Sequence, residues 1–280
     1  MQNHHTSLGV SVVTFNTRQQ ELLNLLSSLT VALEHLNAAG NHCSVNLTLV
    51  DNSEPHLLRQ SDFEQFIPRW QPLGVTLKLI TGHGNIGFGC GHNLAIRNSD
   101  ETYHLVLNSD VELAPDALLQ GLSYLEEHAD VAMVSPATQD ASGQKQYLCK
   151  RQPSVLKLAA RGIFPRWLQA RVQRLLHHYE MRDLPEHKAS KGIPHAGGCF
   201  MLCRGDHLRE IGGFDESYFL YFEDFDLCRR LDGHGTIAYL PAMQIRHFGG
   251  QSARKGLRHI LLFIKSGWRF FNTYGWRLIQ

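Results

Sequence analysis

The sequence lacks several features, and each absence excludes a class of protein. It contains no apolar run approaching the roughly 20 residues that a helix needs to cross a bilayer. Its first seven residues, Met1 to Ser7, are polar and provide no apolar signal core. We therefore expect a protein that is neither secreted through a signal peptide nor membrane-spanning. The six cysteines include no C-x-x-C pair, which favours reduced thiols in a cytosolic protein over a disulfide framework.

Two common nucleotide-binding motifs are also missing. No G-x-x-x-x-G-K-[ST] sequence is present, which argues against a P-loop ATPase. A dinucleotide-binding G-x-G-x-x-G read from Gly87 fails, because its third glycine position holds His92. This departure weakens the interpretation of the chain as an oxidoreductase.

Acidic residues are absent from the end of the chain. The net charge of +1 hides an uneven distribution, because residues 1–140 carry 5 Lys+Arg against 15 Asp+Glu and residues 141–280 carry 22 against 11. After Asp232 seven basic residues follow and no acidic one. A basic tail of this kind is typical of proteins that bind phosphate, nucleic acid or an anionic membrane. Nucleic acid ranks last, because no nucleic-acid-binding motif is recognisable.

The chain is long enough for one large domain and has the composition of a globular protein, with 280 residues, 43% hydrophobic and 19% charged. Short β-branched or apolar segments alternate with segments of helical periodicity. This alternation predicts an α/β fold with a doubly wound, mostly parallel sheet, whose ligand crevice lies at the carboxyl ends of the strands. The predicted strands are 8–15, 45–50, 75–80, 103–107, 131–135 and 244–246, and the predicted helices include 115–128 and one opened by a capping box at Thr17-x-x-Gln20.

Polar segments follow the predicted strands. The glycine-rich loop Gly82 to Asn93 could be a backbone cradle for an anion at a helix N-terminus, or a turn that needs glycines at positive φ. Asn108-Ser109-Asp110 ends another strand. Its carboxylate could hold Mg²⁺ or Mn²⁺ together with substrate phosphates, or it could cap a turn or helix.

The segment Glu223 to Arg229 is richer in chemistry, because it has three acids in four residues beside several aromatic side chains. A carboxylate in such surroundings can have a raised proton affinity, which suits a general base. The alternative is an acidic first turn that complements a helix dipole. His247, after the last predicted strand, is either a metal ligand or a core histidine.

Taken in order, these segments resemble a known family from about Leu8 to Ser252. The matching blocks are VVTFN (12–16), VDNS (50–53), GNIGFG (84–89) with Asn93, LNSD (107–110) with Pro115-Asp116, Gly197-Gly198, GGFDE (212–216) and YFEDFDLC (221–228). They are similar to those of family 2 glycosyltransferases, and most similar to the rhamnosyltransferase-like branch of bacterial polysaccharide assembly.

This resemblance implies a GT-A fold at residues 1–252, with 139–191 as a variable, acceptor-facing insertion. It also implies an inverting mechanism, a nucleotide-diphosphate sugar donor and a Mg²⁺ or Mn²⁺ ion. Asp224 would be the catalytic base, Asp110 and His247 would hold the metal, and Gly197, Gly198 and Glu223 would face the acceptor or sugar. The remaining implied contacts are to the donor, from Thr14, Asn16, Asp51, Asn85, Gly87, Asn93, Asn108, Ser109 and Asp110. Beyond the matched blocks, Arg254 and Lys255 are candidates for a cationic clamp on the diphosphate, or the solvated start of a basic helix.

Two functions remain open at this point. The first is transfer of a sugar, preferably rhamnose from dTDP-rhamnose, to a glycan or polyprenyl-linked saccharide, with UDP-linked hexoses or galactofuranose as other donors. The second is a catalytically silent sugar-nucleotide-binding or scaffold protein. It is kept open by Asn108, a neutral residue in the first position of the family's D-x-D motif. The retained Asp110, Asp224 and His247 favour the enzyme.

Residues 253–280 are predicted to form a basic amphipathic helix. Its aromatic and basic composition suits a helix lying in a membrane interface, and equally suits a terminal helix packed on the domain. We expect a cytoplasmic protein, acting at the inner face of the cytoplasmic membrane if the first interpretation holds.

Overall fold

A computed structural model of the chain describes residues 6–162, 172–249 and 256–278. The strands are β1 (Thr6–Thr14), β2 (Cys43–Asp51), β3 (Val75–Ile80), β4 (Tyr103–Asn108), β5 (Val111–Leu113), β6 (Val131–Gln139), β7 (Lys145–Gln146), β8 (Ser190–Lys191), β9 (Phe200–Arg204) and β10 (Thr236–His247). The α-helices are α1 (Gln19–Ala38), α2 (Ile67–Trp70), α3 (Phe88–Ile96), α4 (Ala117–Glu127), α5 (Val155–Gly162), α6 (Gln173–Tyr179), α7 (Gly205–Glu210), α8 (Glu223–Leu231) and α9 (Leu257–Tyr274). Short 3₁₀ turns flank α2 at Gln60–Phe66 and Gln71–Leu73.

One mixed sheet organises the domain, with the strand order β3-β2-β1-β4-β9-β6-β10-β5. The neighbours β3, β2, β1 and β4 are parallel, as are β6 and β10. The predicted α/β fold with a mostly parallel sheet is confirmed. β9, which the sequence pattern did not orient, runs antiparallel to both β4 and β6. Because it runs in the opposite direction, its first residues lie at the edge where β4 ends.

The sheet is covered on both faces, which explains why its central strands are apolar almost throughout. On one side, α1 and α4 bury leucines such as Leu25, Leu26 and Leu118 against it. On the other side, α7 and α8 contribute Leu208 and Leu227 to a second cluster. Full burial of one such side chain stabilises the fold by about 1.5–3 kcal/mol, so these two layers fix the strand ends in place.

The segment 139–191 has defined structure where it is described. It contains β7, α5, α6 and β8, and Arg151 forms an ion pair with Asp183 at 2.6 Å. Its sequence around 168–179 also suits an amphipathic helix, and the described part of that stretch contains α6. The acceptor-facing role of this segment stays a prediction.

The predicted C-terminal helix is present as α9, and one of its faces packs on the domain. Phe270 and Phe271 join Tyr218 and Phe222 in a third buried cluster, which is aromatic. The Ser266 hydroxyl donates a hydrogen bond to the Leu220 carbonyl oxygen at 2.8 Å. Among the described residues, none of the helices combines the length and apolar character required to cross a membrane.

Candidate active site

The carboxyl ends of β1, β2 and β4 meet at one edge of the sheet, where the polar segments were predicted to gather. Thr14 at the end of β1 is in register with Asp51 at the end of β2, and Val13 is in register with Asn108 at the end of β4. The Thr17 and Ser109 hydroxyls share a hydrogen bond of 3.1 Å across this edge. The crevice expected from a doubly wound sheet therefore contains the polar residues at the ends of β1, β2 and β4.

The bond from Thr17 corrects one sequence prediction and adds one residue to the site. α1 begins at Gln19, and its N-cap Arg18 makes no side-chain capping bond, so the predicted Thr17–Gln20 capping box is not formed. The Thr17 hydroxyl instead faces Ser109. Local spacing suggested a cap, and only the pairing of β1 with β4 brings the two hydroxyls together.

Asp51 holds the loop after β2 through its carboxylate. Its side chain is fully buried and accepts backbone N–H bonds from Ser53 at 2.9 Å, Leu57 at 2.6 Å and Leu58 at 3.0 Å. Burial by itself raises the pKa of Asp51, but hydrogen bonds from Ser53, Leu57 and Leu58 outweigh it and the pKa is lowered. The contact of Asp51 with a nucleoside stays a prediction.

The end of β1 presents two exposed side chains at the same edge. Asn16 has φ 51° and donates its backbone N–H to the Ser53 hydroxyl at 2.9 Å, which leaves its side chain exposed. Phe15 is also exposed, at 53%. Thr14, by contrast, is buried, and its hydroxyl donates to Asp51 Oδ1 at 3.3 Å. Phe15 is a candidate ligand-contacting residue that the sequence motif did not single out, because an isolated phenylalanine at a strand end reads as core.

The glycine-rich loop is held by close packing, and two of its N–H groups are already bonded within the protein. The Gly87 N–H donates to Asn85 Oδ1 at 3.1 Å, and the Phe88 N–H donates to the Phe219 carbonyl oxygen at 3.1 Å. Gly87 has φ 95°, and a Cβ there would lie 2.5 Å from the Phe219 carbonyl oxygen. The loop contains the positive-φ turn that its glycines allow, and its role as an anion cradle stays a prediction.

Asn93 connects two segments of the domain. Its buried amide donates to the Phe214 carbonyl oxygen at 2.9 Å and accepts from the Phe214 N–H at 2.8 Å. It therefore joins α3 to the turn at 212–216, and a donor contact from Asn93 stays a prediction.

Asp110 and His247 come together across the pairing of β5 with β10. Asp110 Oδ1 lies 3.5 Å from His247 Nε2, and the Phe248 N–H donates to the Asp110 carbonyl oxygen at 2.9 Å. His247 Nδ1 lies 3.0 Å from Gln146 Oε1. Since an amide oxygen only accepts, Nδ1 carries a hydrogen toward Gln146, and Nε2 is the ring nitrogen that faces Asp110. Gln146, on the short strand β7, is a site residue that the sequence gave no signal for.

The Asp110–His247 pair suits a divalent cation. A carboxylate oxygen and an imidazole nitrogen are both common metal ligands, and at 3.5 Å they lie close enough for one ion to contact both. Burial raises the pKa of Asp110, but the hydrogen bond and charge of His247 and a hydrogen bond from Asn108 outweigh it and lower the pKa. Gly249 keeps space open beside the two side chains, because a Cβ there would overlap Asp110 Oδ2 and lie 3.0 Å from His247 Nε2. Within the described residues no third acidic, histidine or cysteine ligand completes a cluster.

Asp224 lies at the first turn of α8, and its carboxylate is held by backbone donors. Oδ2 accepts the Gly198 N–H at 3.1 Å and Oδ1 accepts the Phe225 N–H at 2.9 Å. A Cβ on Gly198 would lie 3.3 Å from the Asp224 Cβ, so the glycine permits this close approach. Gly197 donates its N–H to the Leu148 carbonyl oxygen at 3.1 Å and anchors the same turn.

The turn before α8 is strained. Tyr221 and Phe222 have φ 71° and 65°, in the left-handed region that non-glycine residues rarely adopt. Each such residue costs of order 1–3 kcal/mol and persists only where its surroundings impose it. Here the constraint comes from α9, whose Gly267 allows the Phe222 ring to approach and whose Phe270 ring lies 5.3 Å from it.

Glu223 differs from its neighbour Asp224. Its side chain is buried, and its Oε2 has no hydrogen-bond partner among the described residues. Burial, and then the charge of Asp224, raise the pKa of Glu223 well above its usual value of 4.5. Burial therefore favours the protonated form of Glu223, whereas the Asp224 carboxylate accepts two backbone N–H bonds.

Glu223→Gln is expected to change how stability depends on pH. The folded wild type keeps the Glu223 proton while the unfolded chain releases it above pH 4.5, so its free energy of unfolding falls as the pH rises past that value. Glutamine cannot titrate, so the variant should gain stability relative to wild type between about pH 5 and about pH 8. Urea unfolding at both pH values measures this, with the exposed Glu127→Gln as control. An equal stability difference at every pH would contradict a neutral Glu223.

The metal-facing pair and the Asp224 turn lie on either side of Cys199. The Asn108 N–H donates to the Cys199 carbonyl oxygen at 2.9 Å, and Cys199 follows Gly198 directly. Burial, and then the charges of Asp110 and Asp224, raise the pKa of the Cys199 thiol. The charges of Asp110 and Asp224 therefore both influence the buried Cys199 thiol. Arg254 and Lys255, the expected clamp, lie outside the described residues.

Comparison with known proteins identifies relatives of this chain. The sequence profile described as "Glycosyltransferase like family 2" matches residues 8–259. Rhamnosyltransferase WbbL of Escherichia coli K12 is 26% identical over 233 residues, covering 79% of each chain. The N-acetylglucosaminyl-diphospho-decaprenol L-rhamnosyltransferase of Mycobacterium tuberculosis is 24% identical over 282 aligned positions, covering 94% of this chain and 83% of that protein.

Solved structures share the fold. GalNAc-T7, crystallised with UDP, GalNAc and Mn²⁺, superposes with a TM-score of 0.60 at 14% identity, over 90% of this chain and 44% of that one. Staphylococcus aureus TarS gives a TM-score of 0.54 at 17% identity, over 89% of this chain and 38% of that one. This chain therefore spans less than half the length of each of these structures. Because the family profile covers most of the sequence and the strand-end motifs gather at one crevice, the chain belongs to the family 2 glycosyltransferases, in their rhamnosyltransferase-like branch.

Proposed function

We propose that this enzyme transfers L-rhamnose from dTDP-rhamnose, with inversion, to a hydroxyl of a saccharide carried on a lipid diphosphate. The observation that carries the proposal is the Asp110–His247 pair at the end of β4, together with Asp224, which is bonded to the Gly198 N–H beside the Cys199 carbonyl that accepts from Asn108. The names of the two relatives, both rhamnosyltransferases and one acting on a decaprenol-linked sugar, support the choice of donor and acceptor.

Asp224 acts as the general base in this proposal. The acceptor hydroxyl gives its proton to the Asp224 carboxylate while its oxygen bonds to the anomeric carbon of the sugar. The bond from that carbon to the donor phosphate breaks, and its electron pair leaves with the nucleoside diphosphate. The Gly198 and Phe225 N–H groups hold the carboxylate in one orientation. Burial raises the pKa of the neighbouring Glu223 and favours its protonated form, so Asp224 is the carboxyl proposed to take the proton.

Charge on the leaving diphosphate must also be neutralised. Asp110 and His247 would hold a Mg²⁺ or Mn²⁺ ion, whose positive charge would stabilise that diphosphate. Two protein ligands are few, and such ions commonly complete their coordination with substrate phosphates and water. Asn108 supports the carboxylate of Asp110 in place of a second acid.

The nucleoside end of the donor is proposed to lie at the carboxyl ends of β1 and β2. Phe15 and Asn16 are the exposed side chains there, and loop 52–58 is shaped by Asp51. An exposed phenylalanine ring can stack on a nucleobase. Free thiols at all six cysteines support a reducing, cytoplasmic location for this reaction.

A donor panel tests the proposal. The full chain is mixed with dTDP-rhamnose, dTDP-glucose, UDP-glucose, UDP-galactofuranose or GDP-mannose, each with Mn²⁺. At about 100 times Kd, binding to the folded state raises Tm by about 5 °C. We expect the largest shift, and rhamnose transfer to an N-acetylglucosaminyl-diphospho-lipid, with dTDP-rhamnose. A larger shift and faster transfer with another sugar nucleotide would overturn the choice of donor.

A further inference from the structure

Helix α9 has two apolar faces, and the domain covers only one. The covered face contains Ser266, Gly267, Phe270 and Phe271. A second set of apolar side chains recurs at spacings of three and four residues, which places them on one stripe about 17 Å long. We call this stripe the outer face; it consists of Leu257, Ile260, Leu261, Ile264 and Trp268.

The outer face is exposed although its residues are large and apolar. Leu257 is 80% exposed, Leu261 67% and Trp268 61%. The described contacts of α9 with the domain, such as Ser266 to Leu220 and Phe270 to Phe222, come from the other side. A continuous apolar stripe of this length in water is unfavourable, and such patches mark surfaces that bind a partner or a membrane.

The charges beside the outer face all have one sign. Arg258 and Lys265 are exposed, lie along one edge of the stripe, and form no ion pair with any described residue. Arg269 is different, because it is paired with Asp215 at 2.8 Å. Neither α9 nor any residue after Asp232 carries an acid. The partner of this face must therefore offer an apolar interior for the stripe and negative charge for the basic residues beside it. A bilayer that contains acidic lipids offers both.

We propose that the outer face of α9 docks onto an anionic lipid bilayer, with the helix lying in the plane of the interface. This docking rests on the proposed function, because a lipid-linked acceptor is reached only from the bilayer surface. α9 also contacts the strained turn at Tyr221 and Phe222, which is separated from Asp224 only by Glu223. Docking through α9 therefore places the catalytic base next to the lipid surface.

Vesicle flotation of the full chain tests the docking. We expect binding to phosphatidylcholine vesicles containing 30% phosphatidylglycerol at low salt, and weak binding to pure phosphatidylcholine. The double variant Leu261→Gln/Ile264→Gln should bind at least tenfold more weakly. Arg258→Gln/Lys265→Gln should lose about fivefold for each residue on anionic vesicles only. The matched control Val31→Gln/Ile67→Gln replaces two exposed apolar residues elsewhere and should bind like wild type.

Two further readouts separate the outcomes. Donor-dependent Tm shifts without vesicles test the proposed function independently, and we expect the outer-face variants to retain them. Light scattering with size-exclusion chromatography reports the oligomeric state. Wild-type protein that ignores anionic vesicles at low salt, or outer-face variants that bind like wild type, would overturn the proposal. A dimer that Leu261→Gln/Ile264→Gln converts to monomer would overturn it in favour of a second copy of the chain.

Discussion

Asp224→Asn is expected to lower the rate of sugar transfer by about 10²–10⁴-fold, the usual cost of losing a general base. Asparagine keeps the size of the side chain and an oxygen acceptor for the Gly198 or Phe225 N–H. It cannot take the proton of an acceptor hydroxyl. Donor binding should change little, because the base acts on the acceptor. Single-turnover transfer and donor-dependent Tm shifts measure the two effects separately.

The matched control is Asp232→Asn, which makes the same chemical change at an exposed residue just after the same helix. It should retain wild-type turnover. If Asp224→Asn transfers sugar as fast as this control, Asp224 is not the base. If it instead loses donor binding in proportion to turnover, its role lies in positioning the donor.

Gly249→Ala is expected to weaken divalent-cation binding by about 10- to 100-fold, as changes around metal ligands do. The added Cβ would occupy space against Asp110 Oδ2, 3.0 Å from His247 Nε2. The proposed ligands Asp110 and His247 both remain in this variant. Weaker Mn²⁺ binding would therefore show that the ion needs the space beside them. Mn²⁺ binding, followed by electron paramagnetic resonance with and without donor, measures the effect directly.

Gly233→Ala is the control for this variant, because a Cβ there meets only the Arg230 carbonyl oxygen at an ordinary 3.6 Å. It should bind Mn²⁺ like wild type. Exhaustive chelation should abolish transfer in the wild-type enzyme. Full activity after chelation would contradict a metal site at Asp110 and His247, and would assign neutralisation of the diphosphate to protein cations.

The fold class was predictable because it depends on local periodicity. β3 was predicted at its observed bounds, and β1, β2 and β4 within two residues at either end. Alternating apolar strands and helices leave few topologies other than a mostly parallel sheet with its crevice at the strand ends. β9 escaped this reasoning, because the direction of a short apolar strand depends on where the preceding loop delivers it.

The sequence predicted which segments meet at the site, and it did not predict which groups each side chain bonds. Asp51, Asn93 and Gly87 stand in the expected motifs, yet their hydrogen-bonding groups are taken up by the protein itself. A motif records that a residue type is required at a position and does not say whether a ligand or the fold requires it. Thr17 and Gln146 enter the site through strand pairing, which local sequence does not encode.

The sequence by itself determined the elements, the segments that meet at the crevice and the basic character of the tail, since these follow from periodicity, residue type and charge. Only the tertiary structure decided which groups are buried, paired or exposed. It buried Glu223, which raises the pKa of that carboxyl, and gave the Asp224 carboxylate two backbone N–H donors. It also divided α9 into a covered and an exposed apolar face, because only one side of the helix contacts the aromatic cluster around Phe222.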